Sequence, residues 1–208
     1  KVDKSFVISA LSDAESMAIV RSIIELGRSL GLSVTAEGVE DIETLDALRE
    51  MGCELGQGYF IAKPLSLDNV GEWIIEHARK CEQLRLADLA KLELLDSAPE
   101  ERFDRHTQFA QEYFKLPYAL VSLVARNRQW FKSNAGYPEQ GSDRSESFCA
   151  HAITGRDVFE VQDATLHPVF AQYRSVIGKP GIRYYAGVPL KGPQGQHIGT
   201  FCIIDTVP

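Results

Sequence analysis

Ala36-Glu37-Gly38-Val39-Glu40 and Gly52-Cys53-Glu54-Leu55-Gly56-Gln57-Gly58-Tyr59-Phe60 decide how the first part of the chain is read. Each carries an apolar run into a polar residue and then a glycine, as a buried strand does at its carboxyl end. Between them Asp41 can cap a short helix carrying Leu45, Leu48 and Met51, closed by Gly52. Strand, helix and strand joined by short loops make a parallel unit. Upstream, Leu32–Glu37 reads as the strand ending in this motif. Before it a helix runs to about Leu30, with Met17, Val20, Ile24 and Leu26 near helical spacing and Gly31 at its end. Ser12 and Glu15 have the spacing of a capping box for that helix. Lys1–Ile8 reads as another strand, and Glu54–Ala62 as the third. Pro64 breaks the chain, and Ser66 starts a helix through Val70, Trp73, Ile74 and Ala78. Three strands are too few to close a barrel of eight.

Residues 79–98 connect to a segment of different grammar. Leu84, Leu86, Leu89, Leu92 and Leu95 continue a helix, read either as a packed linker or as a two-stranded coil. The heptad series Ile74, Cys81, Asp88 breaks at its third step. Ser97-Ala98-Pro99-Glu100 has the form of a helix start, and the helix carries Phe103, Phe109 and Phe114. Strand-like runs follow at Tyr118–Ala125, Gln129–Asn134, Val158–Gln162, Arg183–Leu190 and Ile198–Asp205. Phe148–Thr154 reads as a short helix, and Lys191-Gly192-Pro193-Gln194-Gly195 as a turn. This predicts an antiparallel sheet with helices packed on it.

The 208 residues are 44% apolar and 25% charged, with a net charge of −7, the balance of a folded globular chain. Residues 1–80 hold 8 basic and 14 acidic side chains, so the acidity belongs to the first part. No basic stripe exists, which argues against nucleic-acid polymers as partners. No apolar run reaches membrane-helix length. Cys53, Cys81, Cys149 and Cys202 form no CxxC pair and read as small buried hydrophobes in a reducing cytoplasm. The chain starts at Lys1 rather than at a methionine, within an apparent strand, and stops just after another. It is expected to be a piece of a longer protein.

Lys1, Glu37 and Gln57 fall where a parallel barrel places its chemistry. A Lys, a Glu and a Gln on one rim suit phosphoryl chemistry: a cation for phosphate charge, a carboxylate for a metal's waters or a loop, an amide to orient water. Asp3 shares a strand face with Lys1 and either orients it or makes a structural hydrogen bond. Glu40 reads as a structural or dimer-surface residue. Lys1-Val2-Asp3-Lys4-Ser5-Phe6-Val7, Ala36–Glu40, Gly52–Phe60 and Pro64-Leu65 together resemble the last third of the EAL domain, a bacterial cyclic-di-GMP phosphodiesterase. The resemblance implies a partial (β/α)₈ barrel contributing its last three strands. It implies Mg²⁺- or Mn²⁺-dependent hydrolysis of cyclic-di-GMP to linear pGpG. It also matches Lys1, Glu37 and Gln57 to active-site positions. The family's other metal-binding carboxylates lie on earlier strands, so no metal site is expected within these residues, and the 208-residue chain alone is expected to be inactive.

From about residue 85 the chain resembles the GAF family of small-molecule-binding, dimerising regulatory domains. The resemblance rests on Leu94–Asp104, Ala119–Val124, Arg128–Ser133, Ser147–Ile153, Asp163-Ala164-Thr165, Tyr184–Leu190 and Ile198–Asp205. It implies a ligand between the sheet and its overlying loops, with Trp130, Cys149, His151, Asp163, Tyr184 and Tyr185 as pocket residues, and a closing helix beyond Asp205. The cysteine-histidine adjacency of a bilin site is interrupted by Ala150, and the ligand is unnamed. The expected organisation is α/β plus α+β: residues 1–80 as barrel, 81–98 as linker helix and 99–208 as sensor. Three functional readings stand: a cytoplasmic, homodimeric cyclic-di-GMP phosphodiesterase regulated through its sensor; a non-catalytic receptor for cyclic-di-GMP or a protein; and a sensory or dimerisation module alone.

Overall fold

A computed structural model describes residues 1–208, which pack as two units, Lys1–Ile74 and Ile75–Pro208. In the first unit, β1 (Thr35–Glu37) and β2 (Leu55–Gln57) run parallel, with Glu37 opposite Gln57. Val2 adds a single parallel bridge to Ala36 on the other edge of β1. Helix α1 (Lys4–Ser9) follows that bridge, α2 (Ala14–Ser29) precedes β1, and α3 (Ile42–Glu50) joins β1 to β2. The core is Val2, Val7, Val20, Ile24, Val34, Ala36, Val39 and Leu48. Asp41 caps α3 as its sequence predicts, accepting from the Thr44 amide at 2.7 Å. Gly31 takes the left-handed conformation that ends α2.

Three expectations are corrected in this unit. Lys1–Ile8 is a bridge and a helix rather than a strand. The Asp3 carboxylate accepts from the Ser5 amide and hydroxyl, caps α1 and turns the chain out of the sheet at once. Only Val7 of the Phe6-Val7-Ile8 run is buried. The cap of α2 is Asp13, which accepts from the Ser16 amide and hydroxyl, and not Ser12. The strand expected over Glu54–Ala62 ends at Gln57, because Gly58 lets the backbone close on that of Val39: a Cβ there would stand 2.0 Å from the Val39 oxygen. The Phe60 amide then donates to that same oxygen.

Helix α4 (Leu67–Ala90) enters the second unit without interruption, so the linker expected over 81–98 is helical only to Ala90 and turns thereafter. Helix α5 (Glu101–Phe114) leads to β3 (Tyr118–Val124), β4 (Arg128–Ala135), β5 (Gly141–Asp143), α6 (Phe148–Ala152), β6 (Phe159–Val161), α7 (Arg174–Ile177), β7 (Tyr184–Lys191) and β8 (His197–Asp205). The six strands form one antiparallel sheet in the order β5-β4-β3-β8-β7-β6. Alternation along each strand divides the core. Leu120, Phe131, Tyr185, Cys202 and Ile204 face α6 and the loops, where Phe148 and Phe170 stack 4.4 Å apart. Ala119 and Ala135 face the opposite way with Phe201 and Ile203, and Ala110 of α5 packs on them. Among the cysteines, Cys53, Cys149 and Cys202 are buried as expected, whereas Cys81 is exposed on α4.

Two buried charges tie the end of α4 to this sheet. Arg85 donates to the Val124 carbonyl oxygen at 2.6 Å. Asp88, 1% exposed, accepts from the Gln194 and Gln196 amides at 2.9 and 3.2 Å and so fixes the turn between β7 and β8. Asp88→Ala takes the shared acceptor from both amides and releases the turn, and is expected to lower unfolding free energy by about 1–3 kcal/mol. Asp88→Asn, which keeps one acceptor oxygen, should lose less; urea denaturation of the two variants checks the order.

Candidate functional site

Parallel pairing alone brings three residues distant in sequence to one strand-end rim. Glu37 and Gln57 are direct cross-strand partners at the last positions of β1 and β2. Lys1, one residue before the bridge to Ala36, reaches across so that its Nζ lies 2.7 Å from Glu37 Oε1. Lys1 is open to solvent while Glu37 is two-thirds covered. Gly38 shapes the exit of β1: its φ is +79°, and a Cβ there would meet the Lys4 Cβ at 2.5 Å. Asp3 is committed to the cap of α1, where its hydrogen bonds from Ser5 lower its pKa. Glu40 is exposed.

The rim joins a cation, an anion and an amide within one patch. It does not by itself suit a divalent cation. Glu37 is its single carboxylate, that carboxylate is engaged by Lys1, and no group of three His, Cys, Asp or Glu side chains gathers anywhere in the chain. Hard divalent cations take several oxygen ligands.

The second unit holds a cavity of about 290 Å³ between its sheet and the loops over it. Phe131, Phe148 and Tyr185 supply apolar walls, while Gln129, Glu146 and Lys179 bring polar groups to its lining. Glu146 pairs with Arg174, which also lines the cavity, at 3.1 Å. Apolar walls with a few convergent polar groups are the usual composition of a small-molecule site, and this volume sits at the small end of the range.

Of the six residues expected in a pocket, Cys149 and Tyr185 line this cavity. The other four lie outside its lining. Strand alternation turns Trp130 away from Phe131, and it packs against the Leu89, Leu123 and Ile198 cluster. The same alternation turns Tyr184 away from Tyr185, and its hydroxyl donates to Glu160 at 2.9 Å. His151 holds the Tyr173 hydroxyl at 3.1 Å and meets Phe170 edge-on; burial lowers its pKa. Asp163 accepts from the Thr165 hydroxyl and amide, which lower its pKa and commit it to a turn. Sequence reasoning missed Gln129, Glu146, Arg174 and Lys179. They lie on separate elements and share no local spacing, although the polar run Arg144-Ser145-Glu146-Ser147 ahead of Phe148 marks the neighbourhood.

That run also contacts α4. Glu82 accepts from Arg85 Nε and Nη2 at 2.8 Å each, and from Arg144. These bonds, that of Arg85 first, hold the Glu82 carboxyl down at about 2. A depressed carboxyl contributes stability above its unfolded value of about 4.5, and that contribution is lost as pH falls toward 2. Thermal midpoints followed from pH 6 to pH 2 should therefore fall less steeply in Glu82→Gln than in the parent chain.

With both sites described, the family models place the chain. The GAF domain model matches residues 98–208, more than half of the chain, and the protein belongs to the GAF domain family. The EAL domain model matches residues 1–64, so an EAL segment precedes the GAF domain. Among curated relatives, the cyclic di-GMP phosphodiesterase PA2567 of Pseudomonas aeruginosa is 42% identical over 127 residues, which are 61% of this chain and 22% of that protein. The cyclic di-GMP phosphodiesterase NbdA of the same organism is 42% identical over 74 residues, 36% of this chain and 10% of that protein. A solved structure, the EAL enzyme Bd1971 in its cAMP- and cyclic-di-GMP-bound form, is 43% identical, with a TM-score of 0.32 over 33% of this chain and 18% of that one. The chain thus spans a quarter or less of the length of these relatives. Phosphodiesterases of the EAL family use divalent metal ions. No helix of this chain is long and apolar enough to cross a membrane.

Proposed function

We propose that the first unit is the closing portion of a cyclic-di-GMP phosphodiesterase barrel, and that the second is a small-molecule sensor regulating it in a cytoplasmic homodimer. The observation that carries the first part is the convergence of Lys1, Glu37 and Gln57 on one rim, with Lys1 held at 2.7 Å by Glu37. In this reading Lys1 offsets phosphate charge, Glu37 fixes the Lys1 ammonium and Gln57 orients water. Mg²⁺ or Mn²⁺ would polarise phosphate and acidify water, held by carboxylates of the rest of the barrel. What supports the sensor part is the 290 Å³ cavity, lined by Cys149 and Tyr185. Trp130, His151, Asp163 and Tyr184 would act there only by supporting its walls.

The test is turnover. The complete protein, given cyclic-di-GMP and Mg²⁺ or Mn²⁺, is expected to release linear pGpG, while residues 1–208 alone release none. Binding of cyclic-di-GMP by the complete protein without turnover would assign the receptor reading instead.

A further inference from the structure

Two of the four thiols stand apart from the others. The Cys53 thiol donates to backbone oxygens of Val34 and Leu55 in the first unit's core, and Cys81 lies exposed on a helix. Cys149 and Cys202 are both buried in the second unit, from α6 and β8, with their sulfurs 3.9 Å apart. Cys149 lines the cavity, so a small molecule entering it meets that sulfur directly, whereas Cys202 is not part of the lining. The Tyr185 hydroxyl donates to Cys149 Sγ at 3.5 Å. A buried sulfur with a hydroxyl donor, a second thiol within contact and an opening to a cavity has the parts of a two-cysteine redox site.

We propose that Cys149 and Cys202 are a redox-active dithiol that reduces a small hydroperoxide admitted to the cavity and is itself converted to a disulfide. In the first step the Cys149 thiolate attacks the terminal peroxide oxygen. A sulfur–oxygen bond forms, the oxygen–oxygen bond breaks, and the alkoxide, or hydroxide from hydrogen peroxide, leaves as alcohol or water with the proton that the Cys149 thiol gave up on ionising. Cys149 is now a sulfenic acid. In the second step Cys202 sulfur attacks Cys149 sulfur, the sulfur–sulfur bond forms, and the hydroxyl leaves as water with the Cys202 proton. Two thiols and one hydroperoxide give one disulfide, one alcohol and one water.

The division of labour follows from the surroundings. The neighbouring Cys202 sulfur and the Tyr185 hydroxyl that donates to Cys149 Sγ both favour the Cys149 thiolate against the opposing effect of burial. Cys202 is pushed up, first by its contact with Cys149 and then by burial. Because Cys149 lines the cavity and Cys202 does not, Cys149 is the attacking thiolate and Cys202 the resolving thiol. Closing the sulfurs from 3.9 Å to the ~2.05 Å of a disulfide draws α6 toward β8 and moves one wall of the cavity. Oxidation and cavity shape are thereby linked. This goes beyond the sensor reading and is independent of the barrel rim.

The test uses the 208-residue chain, fully reduced and then exposed to hydrogen peroxide. Its intact mass is expected to fall by about 2 Da, with reversal by dithiothreitol. Digestion without reductant should give the Cys149–Cys202 peptide pair at least about tenfold above any other cysteine pair. In Cys202→Ser, dimedone should label Cys149. Native pairing no more selective than in urea-unfolded chain overturns the proposal, as does oxidation of Cys81 while Cys149 and Cys202 remain thiols. The measurement on the unsubstituted chain stands even if the serine variant fails to fold.

Discussion

If the complete protein is the phosphodiesterase proposed, Glu37→Gln is expected to lower its kcat by about a hundredfold or more, the usual cost of removing one aligned polar group from a reaction site. The amide keeps the shape of the side chain and its place at the end of β1. What it loses is the charge that holds Lys1 Nζ at 2.7 Å. Lys1 is 63% exposed, so without that anchor it returns to solvent and no longer meets a phosphate at a fixed point. The same exposure predicts little effect on folding, since solvent-facing ion pairs contribute about 0–1 kcal/mol. Loss of kcat with an unchanged melting temperature is the expected signature. A matched fall in both would indicate that Glu37 serves the fold.

Lys132→Ala is expected to destabilise the second unit by about 1.5–3 kcal/mol, the range for losing hydrogen bonds made by a charged group. Lys132 sits on β4 with its side chain wholly buried. Its Nζ donates at 2.6 Å to the Ser97 hydroxyl, the Ala98 carbonyl oxygen and Glu100 Oε1, under the Phe103 ring. Removing the ammonium takes the shared donor from these three acceptors at the point where the chain enters α5 and leaves its buried volume empty. Lys132→Met fills the volume but also leaves the acceptors, so it should recover only part of the loss. Urea unfolding of both variants checks the order. Lys132 also lowers the Glu100 pKa, ahead of Arg102. The stabilising contribution of that carboxylate is present above its unfolded pKa and lost as pH falls below it.

This cluster shows where sequence reasoning stopped short. Ser97-Ala98-Pro99-Glu100 has the spacing of a capping box, yet α5 begins at Glu101 and Glu100 makes no cap hydrogen bond with its side chain. Its carboxylate goes to Lys132 and Arg102 instead, a tertiary partner winning over a local one. Lys1–Ile8 failed for the converse reason: its β-branched run looked like a strand, but a local cap at Asp3 overrode it. The sensor strands were legible because alternation and glycine turns are local signals, and the observed strands fall within a residue or so of those expected. The short β5 carries too little alternation to be seen. Glu37 and Gln57 were legible because each ends a strand. The cavity was not, because Gln129, Glu146 and Lys179 meet only through tertiary packing.

The central claim is that Lys1 and Glu37 act as one unit in phosphodiester hydrolysis, and a double-mutant cycle on kcat of the complete protein tests it most directly. Lys1→Met and Glu37→Gln are each expected to reduce kcat strongly, and the double variant to be no slower than the slower single variant, because residues acting as a unit are not additive. Losses that multiply in the double variant would contradict the account, since Lys1 and Glu37 would then contribute independently despite their 2.7 Å contact.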